Sequence, residues 1–556
     1  MENKQDNVLL LLEDRTKVLD KKIALGISSS FGWNELSFQG LGSLSRRLAC
    51  YLINLGVDRG DKVSILSESI PEWAAGLFAN VLSGAITIPI DIKLTEMEMF
   101  NILNAGQPKI LLVSKNFLDL GLKLKEQVES IEQVIVLNAG GSVTNYPCLY
   151  NLPDADDKYK WRHRGLNTTA FIIYTSGTTG TPKGVETSFK NVLSQIKALE
   201  ACFDLGLEDK FLSILPMNHL FELTVGFLNF LCKGSSIYYS QSLKPKDVFH
   251  VMQEKQITFM IVVPAFLKLI KSSVFSELKQ TSKFAQSWFD FKYNLAKFIP
   301  FQSLRRLMFK DIHKKFGGKF KGFISGGAPL DTSVAKFFER VGLVIYEGYG
   351  LSETSPVVSM NRKGAVRLGS VGQPIPGVKV KLDSQTSELL VKGDNVMKGY
   401  YKRPDLTVEV IDKDGWLHTG DQARIDKDGY IYITGRIKNM IVLDGGKKVF
   451  PEDLESVFEK SSMFADVCVF GGKLKGGQKD GTEDVFVAVL PTEDVKSRFK
   501  DKTELEKEIK KEIKLLSQQI SAYKRPKNVI VVETPFPRTA TSKIKRKEVK
   551  KILLGQ

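Results

Sequence analysis

Short, uniformly apolar runs alternate with amphipathic stretches over residues 1–165. Lys62-Val-Ser-Ile-Leu, Gly84-Ala-Ile-Thr-Ile-Pro-Ile and Lys109-Ile-Leu-Leu-Val have strand length, whereas 71–82 and 96–105 repeat their apolar positions with helical spacing. Strands that are apolar throughout are buried on both faces, so the alternation predicts a largely parallel sheet with helices on either side. The pattern resumes at Thr169-Ala-Phe-Ile-Ile-Tyr, Leu212-Ser-Ile-Leu, Ser236-Ile-Tyr-Tyr and Thr258-Phe-Met-Ile-Val-Val. After Leu368 it gives way to shorter strands, at Val378-Lys-Val-Lys-Leu, Glu388-Leu-Leu-Val-Lys and Tyr430-Ile-Tyr-Ile, with Asp414-Gly415 and Asp428-Gly429 as turn dipeptides. Gly435-Arg-Ile-Lys-Asn leads into a last unit of mixed pattern, with a helix opening at Pro451, a second over 504–517 and a strand at Lys527-Asn-Val-Ile-Val-Val. The expectation is an α/β protein: an N-terminal domain over 1–435 with a β-rich subdomain from about 368, a hinge at 436–438, and a smaller, mobile α+β lid over 439–556.

Length agrees, since 556 residues exceed what one compact core accommodates. The five cysteines (Cys50, Cys148, Cys202, Cys232, Cys468) show no metal spacing and read as reduced, buried residues of an intracellular protein. The polar N-terminus is not a signal peptide, and no apolar run reaches the roughly 20 residues of a membrane span. A cytoplasmic protein is expected, at most peripheral at the inner face of the membrane.

Charge changes the picture in one place. The net charge is +16, and between Phe266 and Gly322 thirteen Lys/Arg face only Glu277, Asp290 and Asp311. Aromatics, among them Phe284, Trp288, Phe291, Phe298 and Phe301, are interleaved with these cations. That mixture suits an anionic bilayer or a nucleic acid. No nucleic-acid module accompanies it, so a membrane partner is favoured over nucleic acid.

The candidate chemistry starts at Tyr174-Thr-Ser-Gly-Thr-Thr-Gly-Thr-Pro-Lys-Gly-Val. Thr175, Ser176, Thr178 and Thr179 supply hydroxyls, Gly177 and Gly180 let backbone N–H groups converge, and Lys183 adds a charge. A polyphosphate is the natural guest. With a strand before it and a helix from Asn191 after it, the loop is expected at a strand-to-helix corner. It is not a Walker A loop, because Gly184 rather than Ser or Thr follows the lysine.

This string resembles the phosphate loop of the adenylate-forming acyl-CoA synthetase family, and further family motifs follow in family order, so that the resemblance runs from about Leu36 to Lys551. Ser325-Gly326-Gly327-Ala328-Pro329 is a Gly-rich turn that in the family packs beside adenine and the acyl channel. In Tyr346-Glu347-Gly348-Tyr349-Gly350-Leu351-Ser352-Glu353-Thr354 the resemblance implies that Tyr349 stacks on adenine, Ser352 contacts the α-phosphate, and Glu353, with Thr175, binds Mg²⁺. Ser352 stands where the family more often has Thr. Asp414-Gly-Trp-Leu-His-Thr-Gly-Asp421 ends in the residue matching the ribose ligand, and Arg436 matches an arginine that reaches the nucleotide; Trp416 and His418 are read as structural. Lys438 falls at the hinge, and Gly446 would line the thiol channel. Pro537-Arg-Thr-Ala-Thr-Ser-Lys543 matches the motif of the catalytic lysine, with Ser542 where the family usually has Gly. Pro216-Met-Asn-His219-Leu-Phe221-Glu222 resembles the long-chain branch, with His219 as an orienting or gating group near the carboxylate entrance.

The resemblance implies an AMP-forming long-chain fatty acid–CoA ligase: ATP and a fatty acid give acyl-AMP, and CoA then displaces AMP. Ligation to acyl-carrier protein, an acyl-AMP ligase that stops before CoA, and a non-catalytic fatty-acid-binding membrane scaffold stay open as alternatives.

Overall fold

The computed structural model describes residues 14–29, 32–138, 146–155, 161–162, 164–175, 182–240, 242–443, 447–473, 483–499, 501–538 and 544–555. The chain forms two compact units, Met1–Lys379 with Val391–Leu417, and Val380–Leu390 with His418–Gln556.

The first unit is built on two sheets. One has seven strands, in the order Gly399–Tyr400, Lys183–Ser188, Thr169–Thr175, Ile86–Ile90, Lys62–Leu66, Ile110–Val113, Gln133–Val136. The other has nine, with Val344–Gly350, Gly322–Ser325, Phe259–Val262, Lys210–Ser213, Ser236–Tyr239 and Ile23–Ser29 running parallel through its middle. Alternation along the strands sets up the layers. Val63, Ile65, Ile110 and Leu112 of one sheet meet Phe211, Phe259, Ile261 and Ile237 of the other in a shared core that also holds the helices Phe38–Asn54 and Pro71–Ser83. Leu66, Leu111 and Val113 point the other way, against Met99, Leu103 and Leu124. Leu212, Met260 and Phe323 do the same in the second sheet, against an outer core rich in phenylalanine. The doubly covered parallel sheet expected from the apolar runs is therefore present twice.

One expectation is corrected. The phosphate loop does not sit at a strand-to-helix corner: Lys183–Ser188 is itself a strand, antiparallel to Thr169–Thr175 with Thr175 opposite Lys183. The helix Phe189–Glu200 starts only after it, capped by the Ser188 side chain, which accepts from the Asn191 N–H. Gly184 allows the hairpin to close, since a Cβ there would lie 2.8 Å from Ile172 and 3.1 Å from Tyr174.

The second unit carries the four-stranded sheet Lys379–Leu382, Glu388–Lys392, Leu417–Ile425, Ile431–Arg436. It also holds a three-stranded sheet, Phe464–Gly472, Asp484–Pro491 and Asn528–Val531, packed with the helices Pro451–Phe458 and Lys502–Leu516. All five cysteines are buried, and none forms a disulfide among the described residues. Among the described residues no helix is long and apolar enough to cross a membrane.

Candidate active site

Ser176, Gly177, Thr178, Thr179 and Gly180 lie outside the described residues, but both ends of their loop are on view. Thr175 and Lys183 face each other at the open end of the hairpin. A neighbouring segment is bolted onto it: Tyr401 N–H donates to the Gly184 carbonyl (2.7 Å), Lys398 N–H to Glu186 (3.0 Å), and the Asn191 amide to the carbonyls of Asp394 and Val396 (2.7 and 2.8 Å). Tyr400, on this segment, does two things at once. Its ring lies 5.3 Å beneath the Lys183 ammonium, and its hydroxyl donates to Glu353 Oε1 at 2.8 Å. Burial and the Glu353 carboxylate push the phenol far above its ordinary value, so it remains a donor. Glu353 is further held by its carbonyl, which accepts from Met397 N–H at 2.9 Å. One residue thus joins the phosphate-loop lysine to the proposed magnesium acid.

Glu353 sits in a single helical turn, Ser352–Thr354, locked by Thr354, whose hydroxyl accepts from Leu351 N–H (2.9 Å) and donates to the Pro356 carbonyl (2.6 Å). Ser352 and Glu353 stay half-buried, open to a ligand. Upstream, Tyr349 is half-buried at the end of the strand Val344–Gly350. Gly350 is fixed by sterics, because a Cβ there would lie 1.8 Å from the Pro356 carbonyl oxygen. Gly348 packs against the Ser359 carbonyl and Met360, each 3.1 Å from where its Cβ would be.

The Gly326–Pro329 turn lies beside this strand, with Ser325 paired to Glu347. Glu347 is buried, which raises its carboxyl to about 8 against the pull of the Leu330 backbone N–H. Burial thus favours the neutral carboxylic acid at this turn. Gly327 adopts the left-handed conformation (φ 84°), and Gly326 leaves room for the Phe221 ring, which a Cβ would meet at 3.0 Å. Phe221 opens a π-helix, Phe221–Leu228, that turns the next residue inward. Glu222 is wholly buried, accepts from the Ser213 hydroxyl, and burial raises it to about 8. The His219-Leu-Phe221-Glu222 string is thus divided: Phe221 meets the Gly-rich turn and a neutral Glu222 enters the core. His219 Nε2 lies 3.6 Å from the buried Asp91 carboxylate, a partner that an acid after an apolar strand did not announce.

In the second unit Asp421 and Arg436 are opposite each other on neighbouring strands, with Arg436 Nε donating to Asp421 Oδ1 at 2.7 Å. Asp421 is almost fully buried and Arg436 half-exposed. His418 contacts Glu388 (3.0 Å), whose other oxygen accepts from Gly420 N–H (2.7 Å), which is the structural part expected of it. Lys438 is exposed in the single turn Ile437–Asn439. Gly446 and Lys543 lie outside the described residues. The flanks of Lys543 are described: Arg538 and Ile544 form an antiparallel bridge, and Lys545 N–H donates to the Pro537 carbonyl at 2.8 Å. Arg538 is ion-paired with Asp466, and Arg546 grips both oxygens of Glu455 (2.8 and 2.7 Å) and the Val469 carbonyl (2.7 Å).

These strands, turns and loops match the AMP-binding enzyme model over residues 12–401 and the AMP-binding enzyme C-terminal domain over 438–553. The chain belongs to the AMP-binding enzyme family. Within that family it is an adenylate-forming enzyme of the acyl-CoA synthetase group. It is 30% identical over 459 residues to the long-chain-fatty-acid–CoA ligase FadD15 of Mycobacterium bovis, covering 79% of this chain and 76% of that protein. It is 28% identical over 559 residues to the long-chain-fatty-acid–CoA ligase of Salmonella typhimurium, covering 93% and 90%. The crystal structure of ATP-bound MatB from Rhodopseudomonas palustris superposes with a TM-score of 0.78 at 24% identity, over 98% of this chain and 99% of that one, and shares the AMP-binding enzyme fold.

Proposed function

We propose that this AMP-binding enzyme activates a long-chain fatty acid with ATP and transfers the acyl group to CoA. A carboxylate oxygen attacks the α-phosphorus, pyrophosphate leaves, and the thiol then displaces AMP from the acyl carbon. The observation that carries the reading is the Lys183–Tyr400–Glu353 linkage at the mouth of the hydroxyl- and glycine-rich loop: a cation and an acid held a phenol apart suit a metal-bound polyphosphate. Ser176, Gly177, Thr178, Thr179 and Gly180 would wrap the phosphates; Gly326, Gly327, Ala328, Pro329, Gly348 and Tyr349 would take the base, Ser352 the α-phosphate, and Asp421 and Arg436 the sugar. Glu353 fits Mg²⁺: it is a hard oxygen donor whose second oxygen has no partner among the described residues, and the Thr175 hydroxyl would complete the protein ligands. The ion supplies neutralisation of the leaving pyrophosphate.

Lys543 would bridge carboxylate and α-phosphate, which otherwise repel each other. A thiol needs the space this lysine occupies, so the unit after residue 438 swings between half-reactions about Lys438, bringing Gly446 to the thiol channel. The long-chain preference is supported by the His219-Leu-Phe221-Glu222 string and by the names of the relatives. An apolar tunnel would gain about 0.8 kcal/mol per buried CH₂. The acid's reservoir is then a bilayer, which the enzyme would meet as a peripheral protein from the cytoplasmic side.

Pyrophosphate release across a ladder of carboxylic acids, with and without CoA, tests the reading. Release should rise with chain length into the long-chain range and acyl-CoA should accumulate only with CoA. Preference for a short or aromatic acid, or turnover that CoA does not alter, would overturn it.

A further inference from the structure

The helix Lys283–Leu295 is apolar on two opposite sides. On one, Phe289 is buried among Phe275, Tyr293 and Phe309, completing the outer core. On the other, Phe284, Trp288, Phe291 and Leu295 are 80%, 52%, 56% and 44% exposed. At about 100° per residue these four positions fall within about 60° of one another, a single stripe. Trp288 and Phe291 stack on each other, ring centroids 5.5 Å apart, and stay exposed, with the Lys292 ammonium 6.0 Å from the Trp288 ring. The exposed apolar line continues past the helix through Phe298, Phe301, Leu304 and Leu307. Among the described residues every exposed Phe and Trp lies in this one segment. Isolated apolar residues on a surface need no explanation; a continuous aromatic stripe does.

Of the cations of the segment, Lys314, Lys315 and Lys321 are ion-paired with Asp311, Glu277 and Asp209, and two other groups bear on the stripe. Lys292, Arg305 and Arg306 donate to the backbone carbonyls of Met308, Ile299, Glu339 and Phe320 and hold the segment's own turns together. Lys279, Lys283, Lys297 and Lys310 are exposed and have no acidic partner among the described residues. The second group is free to meet an anionic surface.

We propose that this segment is a membrane-docking face, with the helix Lys283–Leu295 lying in the headgroup layer of an anionic bilayer, its aromatic stripe toward the acyl chains and the free lysines toward lipid phosphates. Charge selects the occupant. An excess of ten positive charges opposes pairing with the same face of a second copy and complements anionic lipid. The stripe supplies what charge alone does not, apolar area on one side of a helix. The inference rests on the peripheral contact proposed above but not on which acid is activated.

The full chain is mixed with phosphatidylcholine vesicles with and without phosphatidylglycerol, at low and high salt. It should bind the anionic vesicles at low salt and release at high salt. Two variants, Lys279→Gln/Lys283→Gln/Lys297→Gln/Lys310→Gln and Phe284→Ser/Trp288→Ser/Phe291→Ser, should each partition at least about tenfold less while keeping wild-type melting and turnover of detergent-dispersed acid. Trp288→Phe should bind like wild type but lose most of the fluorescence quenching by brominated lipid, which decides the matter even if the triple variant does not fold. No binding to anionic vesicles at low salt, undiminished binding of the triple variant, or quenching unchanged in Trp288→Phe would each overturn the proposal. So would a dimer that the triple variant dissolves. Loss of ligase activity on every acid with vesicle binding intact would count against the function alone.

Discussion

Two short loops are expected to carry most of the chemistry, and their flanks are anchored with different shares of apolar packing and charge. The loop between Thr175 and Lys183 closes a hairpin whose strands extend a largely buried, parallel sheet: Ala170, Phe171, Ile172 and Val185 are almost without exposure. Its support is largely apolar, with Glu186 held by Thr169 and Lys398 at the far end of the strands and Tyr400 joining Lys183 to Glu353 at the mouth. The loop between Arg538 and Ile544 has one bridge at its base, and its flanks are seated on a sheet through Phe536 and Ile544, which pack against Cys468, Phe470 and Phe486. Charge holds its flanks, Arg538 against Asp466 and Arg546 against Glu455 and Glu452. Flanks set in a sheet keep their place whatever the charge state around them. Flanks that rely in part on ion pairs depend on each partner, as suits an element proposed to enter and leave a site.

The sharpest way to break this contrast is to remove Arg546. Its loss leaves Glu455 and Glu452 in a mostly buried setting without their cation, and breaking such a pair typically costs about 3–5 kcal/mol. Arg546→Met should lower the stability of the second unit by about that much in urea denaturation, and adenylation should fall with it. Adding Glu455→Leu should restore part of the loss, since the stranded carboxylate is the main penalty. A single variant as stable as wild type would show that the flanks do not depend on the pair.

Lys543→Ala asks the converse, chemistry without stability. Bridging charge stabilisation is worth several kcal/mol of barrier, so ATP–pyrophosphate exchange should drop roughly 10²-fold or more while melting is unchanged. Lys438→Pro should do the reverse in sequence of steps: spare adenylation and slow thioester formation. Near-normal exchange in Lys543→Ala, or equal loss of both steps in Lys438→Pro, would remove the bridging role or the hinge.

How much of this was legible beforehand follows from the range of the interactions. Apolar runs such as Ile110–Val113 announced buried strands because burial on both faces leaves a local mark. The order of motifs announced a nucleotide-type site for the same reason: glycines, hydroxyls and acids are written consecutively. The strand Lys183–Ser188 was missed because Lys-Gly-Val-Glu-Thr-Ser has little apolar character, and its pairing with Thr169–Thr175 and Gly399–Tyr400 supplies what propensity does not. Tyr400 was missed too, being 47 residues from the acid it touches. Arg546 looked like one more cation of a basic terminus, and only the fold brings it to Glu455, 91 residues away. Lys292, Arg305 and Arg306 were indistinguishable in sequence from the exposed lysines around them until their carbonyl partners were known.

The mildest test lies at the sheet-backed loop. Tyr400→Phe keeps the ring under Lys183 and removes only the hydroxyl that Glu353 accepts. If apolar backing positions the loop, the fold should be nearly indifferent, and the variant should lose only the hydrogen bond to a charged group, about 1.5–3 kcal/mol at most and less where water replaces it. The expected signature is therefore a rise of several-fold in the Mg²⁺ needed for half-maximal adenylation, with the maximal rate at saturating Mg²⁺ close to wild type. Tyr400→Leu, which also removes the ring, should in addition weaken ATP binding through Lys183. A Mg²⁺ titration unmoved by Tyr400→Phe would mean that Glu353 is positioned by its own turn, with Leu351, Thr354 and Pro356 sufficient to hold it. Tyr400 would then be a packing residue of the hairpin, and the loop would owe nothing to polar anchoring at its mouth.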